Sequence, residues 1–295
     1  MLFLKNSFSG RCLCFLLVFT FLASSAIANK KTIIWLESDL EPCFIHEGPY
    51  KGMGYEDVIT DILEENLEGY HFKTQKANIA RMYREFKSGQ NVCHVAFYKN
   101  PEREKFMYFS IPNTITFPVV LVMKPDKAEQ FAGREFLSLE EMLKNKNLKL
   151  AIAEDRSYGA ALDSLLKKYE SNENILSYAK DSISQHNFNM LLNDRIDYTL
   201  ALPEEVMYWA EQNDARDKIS IFHLAENQGR YDTWYGYVAC PKTEWGKKTI
   251  TRINKVLMEQ RPTERYRKAY ERWIDEDSLP RYRKLYQKYF LQTTE

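Results

Sequence analysis

The residues able to do chemistry are spread along the chain in a way that excludes several reaction classes. The five histidines, His46, His71, His94, His186 and His223, share no metal-ligand spacing, and there is no C-x-x-C pair. His94 adjoins Cys93, so on a strand their side chains point to opposite faces. No nucleophile elbow and no Ser–His–Asp arrangement can be assembled, and no cofactor motif is present. What remains is a set of charged groups placed at breaks after strand-like runs. Arg103 lies in Pro101-Glu102-Arg103-Glu104, just past the run Val92–Tyr98. Arg81 opens a helical stretch after Lys76-Ala77-Asn78-Ile79. Asp155-Arg156-Ser157 precedes another helix, with Ser157 in position to cap it. A guanidinium matches a planar carboxylate with two parallel hydrogen bonds and keeps its charge at any physiological pH. Each group also has a plain reading: Arg103 paired with Glu102 or Glu104, Arg81 as a solvated helix residue, Ser157 as a cap alone. Glu37 and Glu204 are carboxylates near predicted loops. Phe44, Tyr50 and Tyr98 offer flat faces for a ligand or for packing.

The elements that must position these groups alternate. Thr32–Leu36, Val92–Tyr98, Phe117–Met123, Leu148–Ala153, Tyr198–Ala201 and Trp234–Ala239 read as strands, rich in β-branched and aromatic residues. Helical spacing marks Tyr55–Leu67, Ile79–Lys87, Leu139–Lys144, Gly159–Tyr169, Ser184–Asn193, Glu204–Glu211, Glu244–Gln260 and Thr263–Trp273. The tail Leu279–Glu295 reads as one more amphipathic helix with Tyr282, Leu285, Tyr286 and Tyr289 inward. Such alternation predicts an α/β architecture with parallel sheets covered on both faces.

The first residues are expected to be removed. Lys5 and Arg11 precede a short apolar run, Cys12–Ala23, and Ala26-Ile27-Ala28 gives an A-x-A cleavage pattern. The run is too short to span a bilayer, which takes about 20 residues, and neither Cys12 nor Cys14 has a lipoprotein context. Residues 1–28 are therefore predicted to be a signal peptide, with the mature chain starting at Asn29 in the periplasm. The full chain has 41 basic and 41 acidic residues, and loss of Lys5 and Arg11 leaves 39 against 41. A near-neutral chain excludes nucleic acid as the main partner. No later segment is apolar enough to span a membrane. Three cysteines, Cys43, Cys93 and Cys240, meet an oxidising compartment, so one pair can bridge.

Taken in order, short motifs resemble the bacterial extracellular solute-binding proteins of family 3, the amino-acid-binding type that serves ABC importers. Ile33-Ile34-Trp35-Leu36-Glu37 with Pro42 and Phe44 is similar to the first strand and cleft loop. Gly52-x-Gly54-Tyr55-x-x-Val58 is similar to the start of the first helix, with Asp57 one place early. Phe86-Lys87-Ser88-Gly89 is similar to a helix end. Pro101-Glu102-Arg103-Glu104 followed by Phe109-Ser110, then Leu139-Glu140-Glu141-Met142, Asn193–Asp197, Tyr235-Gly236-Tyr237-Val238 and Tyr266-x-x-x-Tyr270-x-x-Trp273 continue the series. The resemblance implies a two-lobed fold of the type II periplasmic-binding class. One lobe is expected from residues 30–118 and 235–295, the other from 119–234, with a small-molecule ligand between them.

The same resemblance assigns Arg103 to a ligand carboxylate, Arg156 and Ser157 to an anion at a helix start, and a disulfide to Cys93 and Cys240, leaving Cys43 free in a cleft-side loop. It places Arg81, Glu37 and Tyr98 along the cleft. It also exposes departures. Asn100 replaces the threonine three residues before the arginine, and Asp155 and Arg156 replace Gly-Ser/Thr. Leu202 stands where the family carries an aspartate for the ligand ammonium. Glu37 or Glu204 is a candidate replacement, or the ligand lacks an ammonium group. The expected function is a monomeric periplasmic binding protein for a small polar ligand, partnered by an ABC permease or a membrane sensor and needing no metal or cofactor. An enzyme on the same fold, of the cyclohexadienyl dehydratase type, is the alternative, with Glu37 as a candidate general acid–base. A sensor lobe is the third reading.

Overall fold

The computed structural model describes residues 31–179, 183–230 and 234–294, so the predicted leader, residues 1–28, lies outside the described residues. The elements run β1 (Lys31–Glu37), α1 (Tyr55–Asn66), β2 (Tyr70–Lys76), α2 (Ile79–Lys87), β3 (Val92–Phe97), α3 (Pro101–Glu104) and β4 (Met107–Ile115). The chain continues through β5 (Val120–Met123), α4 (Pro125–Ala128), β6 (Phe136–Leu137), α5 (Leu139–Lys144), β7 (Leu150–Ala153), α6 (Ala160–Lys168), β8 (Ile175–Tyr178) and α7 (Ile183–Leu192). Then come β9 (Tyr198–Ala201), α8 (Pro203–Gln212), β10 (Ser220–Leu224), β11 (Tyr235–Pro241), α9 (Glu244–Gln260), α10 (Glu264–Glu271) and α11 (Leu279–Leu285).

Two sheets divide these strands: β2-β1-β3-β11-β4, and β6-β10-β5-β9-β7-β8. Each sheet with its helices is one lobe. Both sheets are mixed, which corrects the expectation of parallel sheets. β11 runs antiparallel to β3 and β4, and β5 antiparallel to β9 and β10, while β1, β2 and β3 are parallel, as are β7, β8 and β9. The reason is the route of the chain. It leaves the first sheet through β4 and enters the second as β5, then returns through β10 and β11. The returning strand must oppose the strands laid down by right-handed β-α-β steps. Several of the strands that the sequence did not mark, β4, β6 and β10 among them, lie on this route or at sheet edges.

Every sheet face is covered, as the alternating pattern requires. In the first lobe Ile59, Ile62 and Leu63 of α1 pack with Ile253 and Leu257 of α9 on one face, and Met82 and Phe86 of α2 pack on the other. In the second lobe Leu139 and Leu162 serve one face, Phe188 and Val206 the other. The tail departs from a plain helix. After α11 the chain widens into a π-type turn, Tyr286–Phe290, which buries Phe290 and leaves Tyr289 only partly covered. Arg261, 2% exposed, lies beneath it and donates Nη2 to Phe290 O and Nη1 to Thr293 O (3.1 Å). A buried guanidinium thus satisfies carbonyls that the wider turn leaves open.

Cys93 in β3 and Cys240 in β11 are bonded, with Cα atoms 4.4 Å apart, and Cys43 is a buried free thiol. The bridge spans 147 residues and encloses the whole second lobe. Reduction should lower the unfolding free energy by about 2–4 kcal/mol through the freedom returned to the unfolded chain. Denaturant unfolding with and without reductant measures this; coincident curves would show that the bridge carries no stability.

Candidate functional site

Between the lobes lies a narrow cavity of about 70 Å³. Its first-lobe wall is built from the end of β1, the start of α1, α2, β3 and α3. Gly54 allows the start of α1, because a Cβ there would collide with the Cys43 carbonyl oxygen. The Asp57 carboxylate turns back to accept the Gly54 and Ile45 amides, each at 2.9 Å. Asp57, one place early for the family pattern, is thus a cap, and it fixes Tyr55 and Glu56 on the cavity wall.

Arg103 sits at the cavity, 4% exposed, in the first turn of α3. Asn100 caps that turn by accepting the Arg103 amide at 2.9 Å, and Pro101 supplies the fixed φ of a first helical position. The guanidinium lies over the Phe97 ring at 4.6 Å. Its Nε donates to Tyr83 Oη (2.8 Å) and its Nη1 to Tyr98 O (2.7 Å). Of the five N–H groups of a guanidinium, three have no partner among the described residues, including both on Nη2. Neither Glu102 nor Glu104 takes them: Glu102 pairs with Lys105 and Glu104 with Lys99.

The second-lobe groups expected beside it are otherwise engaged. Arg156 lines the cavity, yet both terminal nitrogens bind Glu205, Nη1 to Oε2 at 3.1 Å and Nη2 to Oε1 at 2.5 Å. Glu205 also accepts Ser184 Oγ at 2.8 Å. Ser157 is not the cap of α6; Gly159 holds that position, with φ +100°. Ser157 Oγ donates instead to Asp163 Oδ2 (2.5 Å), whose Oδ1 accepts the Tyr158 amide (2.7 Å). The helix-start anion position is filled by the protein's own carboxylate, one turn into the helix.

Tyr98 lines the cavity as expected of its place after β3. Arg81 and Glu37 do not. Ile79 and Met82 take the cavity side of α2, and the helical repeat turns Arg81 outward, where its side chain is 40% exposed with Glu85 at 3.8 Å. Glu37 follows Ile33 and Trp35 at strand period two, so it points to the α1 face beside His46 (3.6 Å). Burial, then the Asp57 charge, pushes its carboxyl up to about 8. Phe44 is fully buried against His94, and Tyr50 packs edge-on to Trp273.

His94 and Glu56 are among the polar cavity residues that the sequence did not single out as ligand contacts. His94 Nδ1 donates to Leu36 O at 2.6 Å, which leaves Nε2 as an acceptor. Burial holds its pKa down, to about 4, so the ring is neutral. Glu56 is buried, its carboxylate accepting Asn113 Nδ2 (2.8 Å) and Thr114 Oγ1; burial pushes it up to about 8. The sequence signal for Glu56 was present, since it opens a helix directly after a cleft loop. Among the described residues no cluster of three or more His, Cys, Asp or Glu is placed to hold a metal.

Glu204 joins the lobes. It belongs to α8 of the second lobe, and it accepts Tyr270 Oη (2.9 Å) and Tyr55 Oη (3.4 Å) from the first. Tyr270 Oη in turn accepts the amide of Phe117, on the connecting segment, at 3.0 Å. Burial, with Glu205 adjacent, pushes the Glu204 carboxyl up to about 8. Between an unfolded value near 4.5 and that value the native state holds the proton and the unfolded state releases it. Stability from this group is full below about pH 4.5 and is lost as pH rises through 8. Glu204→Gln, which keeps a hydrogen-bonding amide, should flatten the decline in unfolding free energy between pH 5 and 8. An unchanged slope in denaturant titrations at these pH values would place the proton elsewhere.

With two α/β lobes and a polar cleft between them, comparison with known proteins becomes informative. The description of the bacterial extracellular solute-binding proteins, family 3, matches residues 33–276. The chain belongs to that family. Comparison with curated proteins finds no match. Solved structures share the fold at low identity. A Streptococcus mutans structure, described with glutathione import via GshT and the cystine ABC importer TcyBC, has TM-score 0.66 and 15% identity over 83% of this chain and 95% of its own. The arginine-, lysine-, histidine-binding protein ArtJ of Geobacillus stearothermophilus gives 0.64 and 14% over 86% and 100%. A histidine kinase sensor domain with similarity to periplasmic binding proteins gives 0.61 and 15% over 84% and 97%. No described helix of this family member is long and apolar enough to cross a membrane.

Proposed function

We propose that this protein is an exported, monomeric receptor that closes on a small ligand through an anionic group held by Arg103. Residues 30–118 and 235–295 form one jaw and 119–234 the other, hinged at the two connecting segments. The observation that carries this reading is the state of Arg103. It is buried at the cavity and oriented by Tyr83 and Tyr98, and it keeps three N–H groups unengaged. A guanidinium fixed in this way is pre-organised for a carboxylate. Tyr98 and His94 complete the first-lobe wall, and Glu204 supplies the inter-lobe contact that favours the closed arrangement.

The importer chains and the sensor domain among its structural relatives supply the two kinds of membrane partner for such a receptor, an ABC permease or a receptor kinase. Delivery to an ABC permease is the role we assign. Native mass spectrometry of protein exported to the periplasm tests the binding function. A bound small anion that is released unchanged is expected. A released molecule chemically altered from the one supplied would favour a dehydratase-type enzyme instead. N-terminal sequencing of the same material should begin at Asn29.

A further inference from the structure

A second, larger cavity, of about 450 Å³, shares no lining residue with the ligand cleft. That volume lies within the range of small-molecule sites. Its walls come from three parts of the fold. Phe136, His223 and Gln228 belong to the second lobe, Pro118 and Trp234 to the two connecting segments, and Arg281, Lys284 and Lys288 to the tail. The tail lies beyond residues 33–276, which carry the family match, so this cavity is built in part by residues outside the family pattern.

The tail supplies the charge. Tyr282 and Tyr286 are buried in the first-lobe core, and the helical repeat then sets Arg281, Lys284 and Lys288, spaced by three and four residues, along the cavity side. Neither Arg281 nor Lys284 has a carboxylate within ion-pair distance among the described residues; Glu271 is taken by Arg267 and Arg283 instead. Arg281 lies over the Phe117 ring at 5.3 Å. Burial, then the Arg281 charge, holds the His223 imidazole down, so that ring is neutral at pH 7. Among the described residues Glu135 is the one acid in the wall, and it is exposed.

We propose that this cavity is a second binding site, for a small, doubly charged organic anion whose body carries a flat ring. Two cations on one helical face, without a protein counter-charge, suit a phosphate or dicarboxylate head group. His223 and Phe136, with ring centroids 5.7 Å apart, and the Trp234 ring offer apolar planes for the body. The site stands independently of what the cleft binds.

Phenyl phosphate and inorganic phosphate, titrated calorimetrically into the exported protein at low ionic strength, test it. Arg103→Ala serves as a second host beside wild type, because it removes the anion contact of the cleft. In both hosts phenyl phosphate should bind saturably, and about tenfold or more tightly than phosphate, since its ring leaves water. Arg281→Gln and Lys284→Gln should each weaken it about tenfold, with Tm unchanged, since each removes a charged hydrogen bond from an exposed side chain. No saturable binding in either host overturns the site. So does affinity unchanged in both glutamine variants, or binding to wild type that is lost in Arg103→Ala, which would place the probe in the cleft. Phosphate bound as tightly as phenyl phosphate overturns the assignment of a ring-bearing ligand.

Discussion

Arg103→Ala should weaken ligand binding by about 30-fold or more, with folding little changed. A hydrogen bond to a charged group contributes about 1.5–3 kcal/mol, and removing one side of a buried charge pair costs about 2–5 kcal/mol; about 1.4 kcal/mol is tenfold. The side chain is buried, but its neighbours Tyr83 and Phe97 pack on each other and on Phe86 and Phe106 without it. Arg103→Lys should also lose affinity. A lysine ammonium cannot reach Tyr83 Oη and Tyr98 O while presenting a planar fork to the ligand. Calorimetric titration with the co-purifying ligand separates the outcomes. Wild-type affinity in both variants would move the anion contact away from α3.

Arg156→Met should destabilise the fold by about 3–5 kcal/mol, the usual consequence of leaving a buried charge without its partner. Glu205 has a side chain only 1% exposed, and its remaining donor is Ser184 Oγ. For a chain of this size such a loss lowers Tm by about 10 °C. The double variant Arg156→Met with Glu205→Met should recover most of the loss, because two apolar side chains remove both charges together. Thermal unfolding of the single and double variants measures the coupling. If the single variant unfolds like wild type while ligand affinity collapses, Arg156 serves the ligand rather than Glu205. The two experiments together divide the arginines of the cleft into one for ligand and one for structure.

The longer helices and six of the eleven described strands were legible because their signals are local, whereas β2, β4, β6, β8 and β10 were not marked. The α2 boundaries, Ile79–Lys87, follow from helical spacing and a Ser88-Gly89 stop, and β9 from a short β-branched and aromatic run. Arg103 after β3 was legible for the same reason, while Leu202 at the cavity wall followed only from the family resemblance. Strand direction was not. β4, β5 and β11 run antiparallel to neighbours because of where the chain crosses between sheets, and no residue pattern within a strand records that.

Engagement of the charges was decided only in three dimensions. Arg156 and Glu205 are 49 residues apart, and Glu56 reaches Asn113 and Thr114 across 57 and 58. The sequence shows that Arg156 and Ser157 stand before a helix; it does not show that Glu205 and Asp163 arrive there first. Glu37 illustrates the opposite case. Period two from Trp35 already assigns it to the α1 face, yet which face borders the cleft depends on how the second lobe is docked. By itself the sequence determined the longer helices, six of the strands, the arginine poised after β3 and, through the family resemblance, the apolar residue at the expected acid position. The tertiary structure decided which polar groups remain unengaged, because desolvated charges pair with whatever partner packing brings within reach, regardless of distance along the chain.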